Sequence, residues 1–452
     1  NTRLLEDKEF SKRVRENFNK ASTNHQFGIF AQWDSFKQEI KNEAIECSCI
    51  TSFHAKKDKN LLLCNLKTLH ELECETPGLF HEEILRVKCQ IQSHEQKRFH
   101  GALVRPRCRR FLSSETPTRR ALDDETRNRQ SKKIQLLNCN GALSSDELDI
   151  MNAFESHYQS LFGRTQSINR EKAKYLVSWM PQVSQLKCDL LGRPITLEDV
   201  QCAIDELPNS KTPGPDGLPA EFYKEHKELL SPFLLKVFLE AYAQETLPPS
   251  FYKSHTVLIP KSKEADKLLN VEGYRPITLC NVDYKIFAKI LTKRLQYVTS
   301  SVVGNHQTCG IKGRTIQTNI HVARTIIESC CAHADQVAMV QVDLAKAFDR
   351  VSHTFLFDIL RHVNLGPTLF KGIEICYRNC TTRHIVNGSL SGPIRLESSV
   401  KQGCPLSPLL FALYLEPLCL SVLNSPTVEG YRFYSTEVKV LAYADDICRF
   451  FC

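Results

Sequence analysis

The stretch 438–451 reads VKVLAYADDICRFF, two runs of strand-forming residues on either side of Ala444, Asp445 and Asp446. This pattern predicts a hairpin with strands over 438–443 and 447–451 and a tight turn between them. Asp-Gly or Asn-Gly would form such a turn more easily, and adjacent carboxylates repel each other. A bound Mg²⁺ ion would relieve that repulsion, since it takes oxygen ligands and keeps positions open for phosphates. Taken alone, most such pairs are ordinary turn residues.

A second strand, predicted over 337–342, ends at Asp343. Asp343 and Asp445 lie 102 positions apart, which leaves room for elements that return the chain to the same place. Three carboxylates gathered there would suit two-metal phosphoryl transfer, in which one ion activates the attacking hydroxyl and the other stabilises the leaving pyrophosphate. Taken alone, Asp343 is better explained as the N-cap of the segment that follows it.

Three motifs around these carboxylates resemble those of reverse transcriptases. Residues 343–349 (DLAKAFD) are similar to the first carboxylate motif of these enzymes, and 443–446 (YADD) to their Tyr/Phe-x-Asp-Asp motif. Between them, 401–408 (KQGCPLSP) is similar to the Gln-Gly-x-x-x-Ser-Pro motif. Order and spacing also match, and the coincidence of all three motifs is highly specific.

Further motifs resemble the non-long-terminal-repeat (LINE-type) retrotransposon class. KTPGPDG at 211–217, LIPK at 258–261, YRPITL at 274–279 and QTCGIKGR at 307–314 have counterparts in the same order. The resemblance covers 207–451, with a weaker similarity over 134–163. One departure lies at 307–310 (QTCG), where the family more often has Gly-Phe after Gln-x, which could alter a local turn.

The resemblance implies a role for each of several residues at the reaction centre. Asp343, Asp445 and Asp446 are expected to hold two Mg²⁺ ions, for which Mn²⁺ could substitute. Phe348 is expected to be the steric gate that rejects a 2′-hydroxyl on the incoming sugar. Without the motif, Phe348 would be interpreted as an ordinary core aromatic.

Four further residues are expected to bind the incoming nucleotide. Lys261 and Arg275 resemble the residues that hold the triphosphate, although each alone could be a surface charge. Gln402 and Gly403 are expected under the nascent base pair, where glycine lets the backbone approach closely. The substrates implied are deoxynucleoside triphosphates, an RNA template and a DNA primer, which in this class is nicked target DNA.

The basic charge is concentrated in one segment. The chain carries a net charge of +8, and 94–133 holds twelve Lys or Arg against five Asp or Glu. Arg-rich segments bind phosphates by releasing counterions, although a solvated helix or a localisation signal has the same composition. Within this segment, Arg105, Arg107, Arg109 and Arg110 are expected to contact template or primer. Outside it, Arg314 and Lys211 are expected to do the same.

Composition limits the environment of the chain. Hydrophobic residues make up 42% of the 452 residues, enough for real cores, and no apolar run is long enough for a membrane span. The 19 cysteines are scattered without zinc-site spacing. Reduced, packed thiols are therefore expected, in an intracellular protein of the nucleus or cytoplasm. The oligomeric state is left open.

The expected fold is α+β, a right-hand polymerase with fingers and palm. A helical, basic extension is predicted over 1–133, a segment preceding the polymerase over 134–190, fingers over 191–336 and a palm over 337–452, an antiparallel sheet backed by helices. The chain begins at Asn1 and stops just after the hairpin, so we expect truncation at both ends and a missing thumb.

Individual elements follow from hydrophobic periodicity. Helices are predicted within 61–72 (Leu62, Leu66, Leu69 on one face), from 144 (Leu148, Met151, Phe154, Tyr158, Leu161 on one face), from an N-cap at Thr196, and over 233–242, 283–295 and 406–418. Further strands are predicted over 257–259 and 394–400.

Two other functions remain open from the sequence. An inactive remnant that still binds nucleic acid would share the basic segment and lack only activity. A metal-dependent nuclease could use the same three carboxylates, but it gives no purpose to Phe348 or to Gln402 and Gly403.

Overall fold

The computed structural model describes residues 2–24, 26–104, 133–139, 141–163, 169–262, 264–333, 336–433 and 436–451. The chain forms two compact units, one of residues 1–14 with 39–135 and the other of residues 15–38 with 136–452. Helices and sheets are both present, so the predicted α+β class is confirmed. The predicted domain boundaries stay predictions. Arg105, Arg107, Arg109 and Arg110, which were predicted to contact template or primer, lie outside the described residues.

The smaller unit is helical where it is described. Most of its described residues lie in α1 (Lys8–Thr23), α2 (Ile29–Glu75) and α3 (His81–Val104), and residues 15–23 of α1 and 29–38 of α2 belong to the larger unit. The helix predicted within 61–72 is part of α2, and Leu62, Leu66 and Leu69 are half-buried beside exposed neighbours, as their spacing indicates. After α2, the carboxylate of Glu73 accepts hydrogen bonds from the backbone N–H groups of Gly78 (2.8 Å) and Phe80 (2.7 Å), which fixes the turn into α3.

The larger unit contains twelve further helices within the described residues. They are α4 (Glu147–Phe162), α5 (Arg170–Val177), α6 (Gln185–Leu191), α7 (Leu197–Asp205), α8 (Ala220–Glu225), α9 (Lys227–Gln244), α10 (Ala265–Leu268), α11 (Val282–Val302), α12 (Ile316–His333), α13 (His353–His362), α14 (Pro367–Tyr377) and α15 (Ser407–Leu423). The predicted N-cap at Thr196 is confirmed, because Thr196 and Asp199 form a capping box at the start of α7.

The predicted apolar face of α4 is partly wrong. Phe154 and Tyr158 are buried as expected, but Leu148 is 65% exposed. The remaining buried positions are Ile150 and Phe162, four residues before Phe154 and four after Tyr158. The buried stripe is therefore a regular i, i+4 series, and Met151 and Leu161 of the predicted face are half-buried at its edges.

In the described part of the chain, the strands lie in four sheets. They are β1 (Leu137–Cys139), β2 (Ala142–Ser144), β3 (Lys253–Pro260), β4 (Tyr274–Cys280), β5 (Ala338–Asp343), β6 (Thr381–Val386), β7 (Ser389–Leu390), β8 (Ile394–Arg395), β9 (Tyr431–Phe433), β10 (Thr436–Val438), β11 (Val440–Tyr443) and β12 (Asp446–Phe451). A five-stranded sheet has the order β4-β3-β6-β7 with β8 also paired to β6, and a three-stranded sheet has the order β11-β12-β5. The pairs β1-β2 and β9-β10 stand separately.

Two predicted strands are shorter than expected. The strand predicted over 394–400 is only Ile394–Arg395 in the structure. The N–H groups of Leu396, Ser399 and Val400 donate to carbonyls of loops and helix ends and not to a neighbouring strand. The strand over 438–443 is divided at Lys439, where the chain passes from β10 to β11.

Two helices supply much of the core of the larger unit. The predicted helix 283–295 is α11, in which Ile286, Phe287, Ile290 and Leu291 are buried as expected. The predicted helix 406–418 is α15, but Leu418 is 44% exposed rather than buried. No helix in the described part of the chain has the length and apolar character needed to cross a bilayer.

A buried charge cluster fixes residues 15–38 within the larger unit. The ammonium of Lys37 is 2.6 Å from the carboxylate of Asp283 and 3.5 Å from that of Asp216. The indole of Trp33 donates a hydrogen bond to the same oxygen of Asp283 at 2.9 Å. Lys37 is 3% exposed and Asp283 is fully buried, so each charge depends on the other for its stability.

Replacing Lys37 by methionine is expected to destabilise the larger unit by about 3–5 kcal/mol, because the carboxylate of Asp283 would remain buried without its cation. Urea unfolding followed by tryptophan fluorescence measures this, since Trp33 contacts Asp283 directly. Lys227→Met is the control, because its pair with Asp205 lies at the surface and should matter little. Equal effects of the two variants would contradict the role of the cluster.

Candidate active site

The register of the three-stranded sheet places Asp343 beside the hairpin. Strands β5 and β12 are antiparallel, and Asp343, the last residue of β5, pairs with Asp446, the first residue of β12. Side chains of residues directly opposite each other in such a pair have Cβ atoms about 5 Å apart. The strand predicted before Asp343 and the hairpin predicted around Asp445 and Asp446 are both confirmed.

The turn of the hairpin exposes its two carboxylates unequally. Ala444 has a φ of 53°, in the left-handed region, and this reverses the chain between Tyr443 and Asp445. Asp446 is exposed and Asp445 is half-buried. Burial raises the pKa of Asp445, and the negative charges of Asp446 and Asp343 raise it further. The three carboxylates therefore share one local field, in which a cation would lower their mutual repulsion.

A cavity of about 760 Å³ contains most of the residues predicted for the site. Its walls include Asp343, Asp445, Phe348, Lys261, Arg275, Gln402 and Gly403. Asp446 does not line this cavity, but the strand register places it opposite Asp343, which does. The sequence therefore identified residues that the fold brings together from widely separated segments.

One wall comes from the five-stranded sheet. Lys261 directly follows β3, and its backbone N–H donates to the carbonyl of Gly273 at 2.8 Å. Arg275 lies on β4, opposite Ile259 of β3. Both side chains are exposed, at the same end of the β3-β4 pair, and line the cavity. Two cations at one end of a strand pair are suited to a polyphosphate.

Phe348 forms part of the floor. It lies in a short 3₁₀ turn, Ala347–Arg350, and is half-buried. Its ring stacks on the buried ring of Phe411 in α15, with centroids 4.4 Å apart and an interplanar angle of 17°. Its backbone carbonyl accepts from the N–H of Val400 at 2.9 Å. The ring is thus held in place with one face available to the cavity, and it is not an enclosed core residue.

Gln402 and Gly403 connect the cavity to the five-stranded sheet. The backbone N–H of Thr278 in β4 donates to the carbonyl of Gln402 at 2.8 Å. Gly403 has a φ of 117°, and a Cβ atom there would lie 2.6 Å from the carbonyl oxygen of Thr278. Only glycine fits this approach, for reasons of both backbone conformation and space.

Asp349 belongs to the first carboxylate motif, but no role was predicted for it. Asp349 is 4% exposed, and the side-chain amide of Gln402 donates to its carboxylate at 3.2 Å. Burial raises the pKa of Asp349 to about 6, against the lowering effects of Lys346, Gln402 and Lys261. Its proximity to Gln402 follows from packing between distant segments, so no local pattern could have revealed it.

Gln307 is the other residue whose role was not predicted. Its side-chain oxygen accepts a hydrogen bond from the N–H of Ala444 at 3.0 Å. The residue is 1% exposed and contacts the turn that carries Asp445. The motif at 307–314 indicated only that this segment matters.

Two of the residues predicted to contact the template, Arg314 and Lys211, lie in the described part of the chain. The guanidinium of Arg314 donates to four backbone carbonyls, those of Ser300, Val303, Gly304 and Gln307. These bonds account for a structural role, and its contact with template stays a prediction. Lys211 is exposed and does not line the cavity.

The donor set fits a hard divalent cation that completes its coordination with water and substrate. Within the described residues, no group of three or more His, Cys, Asp or Glu side chains is arranged so that it could hold a metal ion by itself. Magnesium sites typically use one or two carboxylates plus substrate phosphates, so an open arrangement of Asp343, Asp445 and Asp446 is compatible with binding. The cysteines in the described part carry free thiols.

The titration of Asp349 predicts a pH dependence of stability. Its folded-state pKa of about 6 lies above the usual value of 3.8, so its stabilising contribution is present below about pH 4 and is lost as the pH rises through 6. In Asp349→Asn, which cannot ionise, stability relative to the unchanged chain should rise by roughly 2–3 kcal/mol from pH 4 to pH 8. Urea unfolding at several pH values measures it, and a difference independent of pH would contradict the burial effect.

Comparison with known proteins agrees with the geometry. Residues 259–452 match the family model described as reverse transcriptase (RNA-dependent DNA polymerase). The transposon TX1 uncharacterized 149 kDa protein of Xenopus laevis is 30% identical over 99% of this chain and 34% of its own length. A Pol polyprotein from the type-1 retrotransposable element R2 of Popillia japonica is 30% identical over 56% of this chain and 34% of its own length.

A third relative is the probable RNA-directed DNA polymerase from transposon BS of Drosophila melanogaster, which is 24% identical over 68% of this chain and 33% of its own length. The chain thus spans about a third of the length of these relatives. Reverse transcriptases generally use divalent metal ions, which the carboxylates of this cavity suit. Residues 259–452 of this chain thus match the reverse transcriptase family, and the relatives to which the chain is similar are proteins of two transposons and of a retrotransposable element.

Proposed function

We propose that this chain is the polymerising part of a retrotransposon reverse transcriptase, which adds deoxynucleotides to a DNA 3′-hydroxyl on an RNA template. The observation that carries this is the pairing of Asp343 with Asp446 across β5 and β12, at the edge of a cavity that also contains Asp445. Lys261, Arg275, Phe348, Gln402 and Gly403 line the same cavity, and the matched family has this activity.

In the proposed reaction, the primer 3′-oxygen attacks the α-phosphorus of the incoming nucleotide. The hydroxyl proton is lost to solvent, a new phosphodiester bond forms, the bond from that phosphorus to the bridging oxygen breaks, and pyrophosphate leaves. Asp343, Asp445 and Asp446 would hold two Mg²⁺ ions, or Mn²⁺, which would activate the hydroxyl and neutralise the charge of the leaving group. The half-buried position of Asp445 makes it the carboxylate most sensitive to loss of that positive charge.

Lys261 and Arg275 are proposed to bind the triphosphate. Both are exposed at the end of the β3-β4 pair and line the same cavity as Asp343 and Asp445. The guanidinium can form two parallel hydrogen bonds with a phosphate, whereas the ammonium acts as a point charge. They would orient the α-phosphorus toward the primer and stabilise charge on the departing pyrophosphate.

Phe348 is proposed to select the sugar, and Gln402 with Gly403 to support the nascent base pair. The stacking of Phe348 on Phe411 prevents its ring from moving away from a 2′-hydroxyl. The close backbone approach at Gly403 keeps this part of the cavity free of side-chain bulk. Template and primer contacts are proposed for Arg314, Lys211, Arg105, Arg107, Arg109 and Arg110.

Removing one carboxylate tests the reaction. Asp343→Asn and Asp445→Asn should each lower primer extension on an RNA template by at least about 100-fold, since metal binding supplies several kcal/mol of transition-state stabilisation. Asp358→Asn is the control, because that carboxylate is exposed on α13 and pairs only with Arg361 in the described contacts. Unchanged extension by Asp445→Asn would refute the proposal. Inactivity of every form, with RNA still bound, would favour the nucleic-acid-binding remnant.

Shortening the gate tests sugar selection. Phe348→Val should reduce the preference for deoxynucleotides over ribonucleotides, measured as the ratio of kcat/KM values, by about 10–200-fold, because the added space admits a 2′-hydroxyl. Phe355→Val is the control, since its ring packs on Tyr414 and does not line the cavity. The same loss of selectivity in both variants would indicate a general packing effect and not a gate.

A further inference from the structure

The turn that carries the two aspartates is supported by a separate loop. Residues 306–308 run beside β11, with a parallel bridge between Gln307 and Ala442. The N–H of Ala442 donates to the carbonyl of His306 at 2.7 Å, and the N–H of Thr308 donates to the carbonyl of Ala442 at 3.2 Å. This loop therefore extends the three-stranded sheet by one short strand-like segment on its β11 side.

The side chain of Gln307 reaches past this bridge to the turn itself. Its oxygen accepts from the N–H groups of Ala444 and of Cys309, each at 3.0 Å. Its nitrogen donates to the carbonyl of Ala444 at 3.4 Å. One buried amide thus binds both polar backbone groups of the residue that joins Tyr443 to Asp445.

Ala444 requires such support more than most turn residues. Its φ of 53° is a conformation that costs a residue with a Cβ atom roughly 1–2 kcal/mol, and glycine would adopt it freely. The hydrogen bonds from Gln307 offset that cost and select one geometry for the turn. The directions of the Asp445 and Asp446 side chains are set by the same backbone.

The loop is itself anchored to the helices behind it. The guanidinium of Arg314 donates to the carbonyls of Val303 and Gln307, both at 2.9 Å. The buried carboxylate of Glu416 in α15 accepts from the N–H of Gly304 at 2.9 Å and pairs with the ring of His306 at 3.0 Å. Gln307 therefore connects the turn at Ala444 to a loop that Arg314 and Glu416 hold in place.

We propose that Gln307 is a positioning residue for metal binding, which holds the Ala444 turn so that Asp445 and Asp446 face Asp343. This inference rests on the proposed function for its metal site and adds a residue that touches neither metal nor substrate. Groups that orient ligands in this way typically contribute about 10–100-fold to metal affinity or activity.

Three variants separate hydrogen bonding from shape. Gln307→Met keeps the length of the side chain and removes all three hydrogen bonds. Gln307→Glu keeps an oxygen for the two accepted bonds and, in the protonated form that burial favours, an O–H that can replace the longer donated bond. Gln244→Met is the matched control, because that amide binds Glu240 on the surface of α9.

Manganese binding by the whole chain, followed by electron paramagnetic resonance, requires no catalysis. Gln307→Met should weaken it by about 10–100-fold, with Gln307→Glu much closer to the unchanged chain and Gln244→Met equal to it. Hydrogen exchange in 440–447 should be about tenfold faster in Gln307→Met, while exchange elsewhere and the melting temperature change little. Unchanged Mn²⁺ binding or unchanged exchange in Gln307→Met would overturn the inference.

The two proposals fail in different ways. If Mn²⁺ binding is lost in Asp445→Asn and unaffected in Gln307→Met, the proposed metal site is supported and the positioning role of Gln307 is refuted. Binding that Asp445→Asn does not alter, or that the unchanged chain lacks, refutes the metal site and the inference together. In primer extension, Gln307→Met should lower kcat and raise the Mg²⁺ requirement while the KM for nucleotide stays within about twofold, since Lys261 and Arg275 lie on another sheet.

Discussion

The antiparallel register between β5 and β12 is the constraint on which the candidate site depends. Side chains alternate between the two faces of a strand, so a slip of one residue would send Asp343 and Asp446 to opposite faces. The register is fixed by six consecutive pairs, from Asp343 with Asp446 to Ala338 with Phe451. Phe450 is fully buried in this sheet and packs in a small apolar cluster with Ile326 of α12 and with Tyr431 and Leu441. Hydrophobic packing at one end of the hairpin thus determines carboxylate geometry at the other.

The five-stranded sheet positions the positively charged side chains of Lys261 and Arg275, and backbone contacts connect it to the cavity. Thr278 of β4 binds the carbonyl of Gln402, and Gly403 approaches the same residue too closely for any other side chain. Gln402 in turn binds Asp349, which directly follows Phe348. Residues proposed for the triphosphate, the base pair and the sugar therefore belong to one hydrogen-bonded assembly. A change at one of these positions is expected to move the others, so their effects should not be additive.

Burial of charge has a structural use at two places in the larger unit. The Lys37 and Asp283 pair fixes residues 15–38 against α11 and the loop that contains Asp216. Glu416 fixes the loop before Gln307 by binding Gly304 and His306. In both places, a buried ionisable group binds segments that are far apart in sequence, and removing its partner would leave a charge without solvation. The first pair supports the framework, and the second holds the loop whose Gln307 binds the turn at Ala444.

The sequence by itself determined the chemical identity of the candidate site, because the motifs are contiguous and each residue type has a specific chemical use. Seven residues that these motifs predicted for the site line one cavity: Asp343, Asp445, Phe348, Gln402, Gly403, Lys261 and Arg275. The strands before Asp343 and around Asp445 followed from local runs of strand-forming residues, and the cap at Thr196 from its residue type ahead of a helical pattern.

Only the tertiary structure decided what supports those residues. The bonds of Gln307 to Ala444, of Gln402 to Asp349 and of Lys37 to Asp283 join segments 53 to 246 residues apart. Periodicity reports the environment of neighbouring residues and contains no information on such distant partners, which is also why the exposed positions of Leu148 and Leu418 were mistaken for buried ones. The choice of side chains could be read locally, whereas their partners and the register that aligns them exist only once the chain has folded.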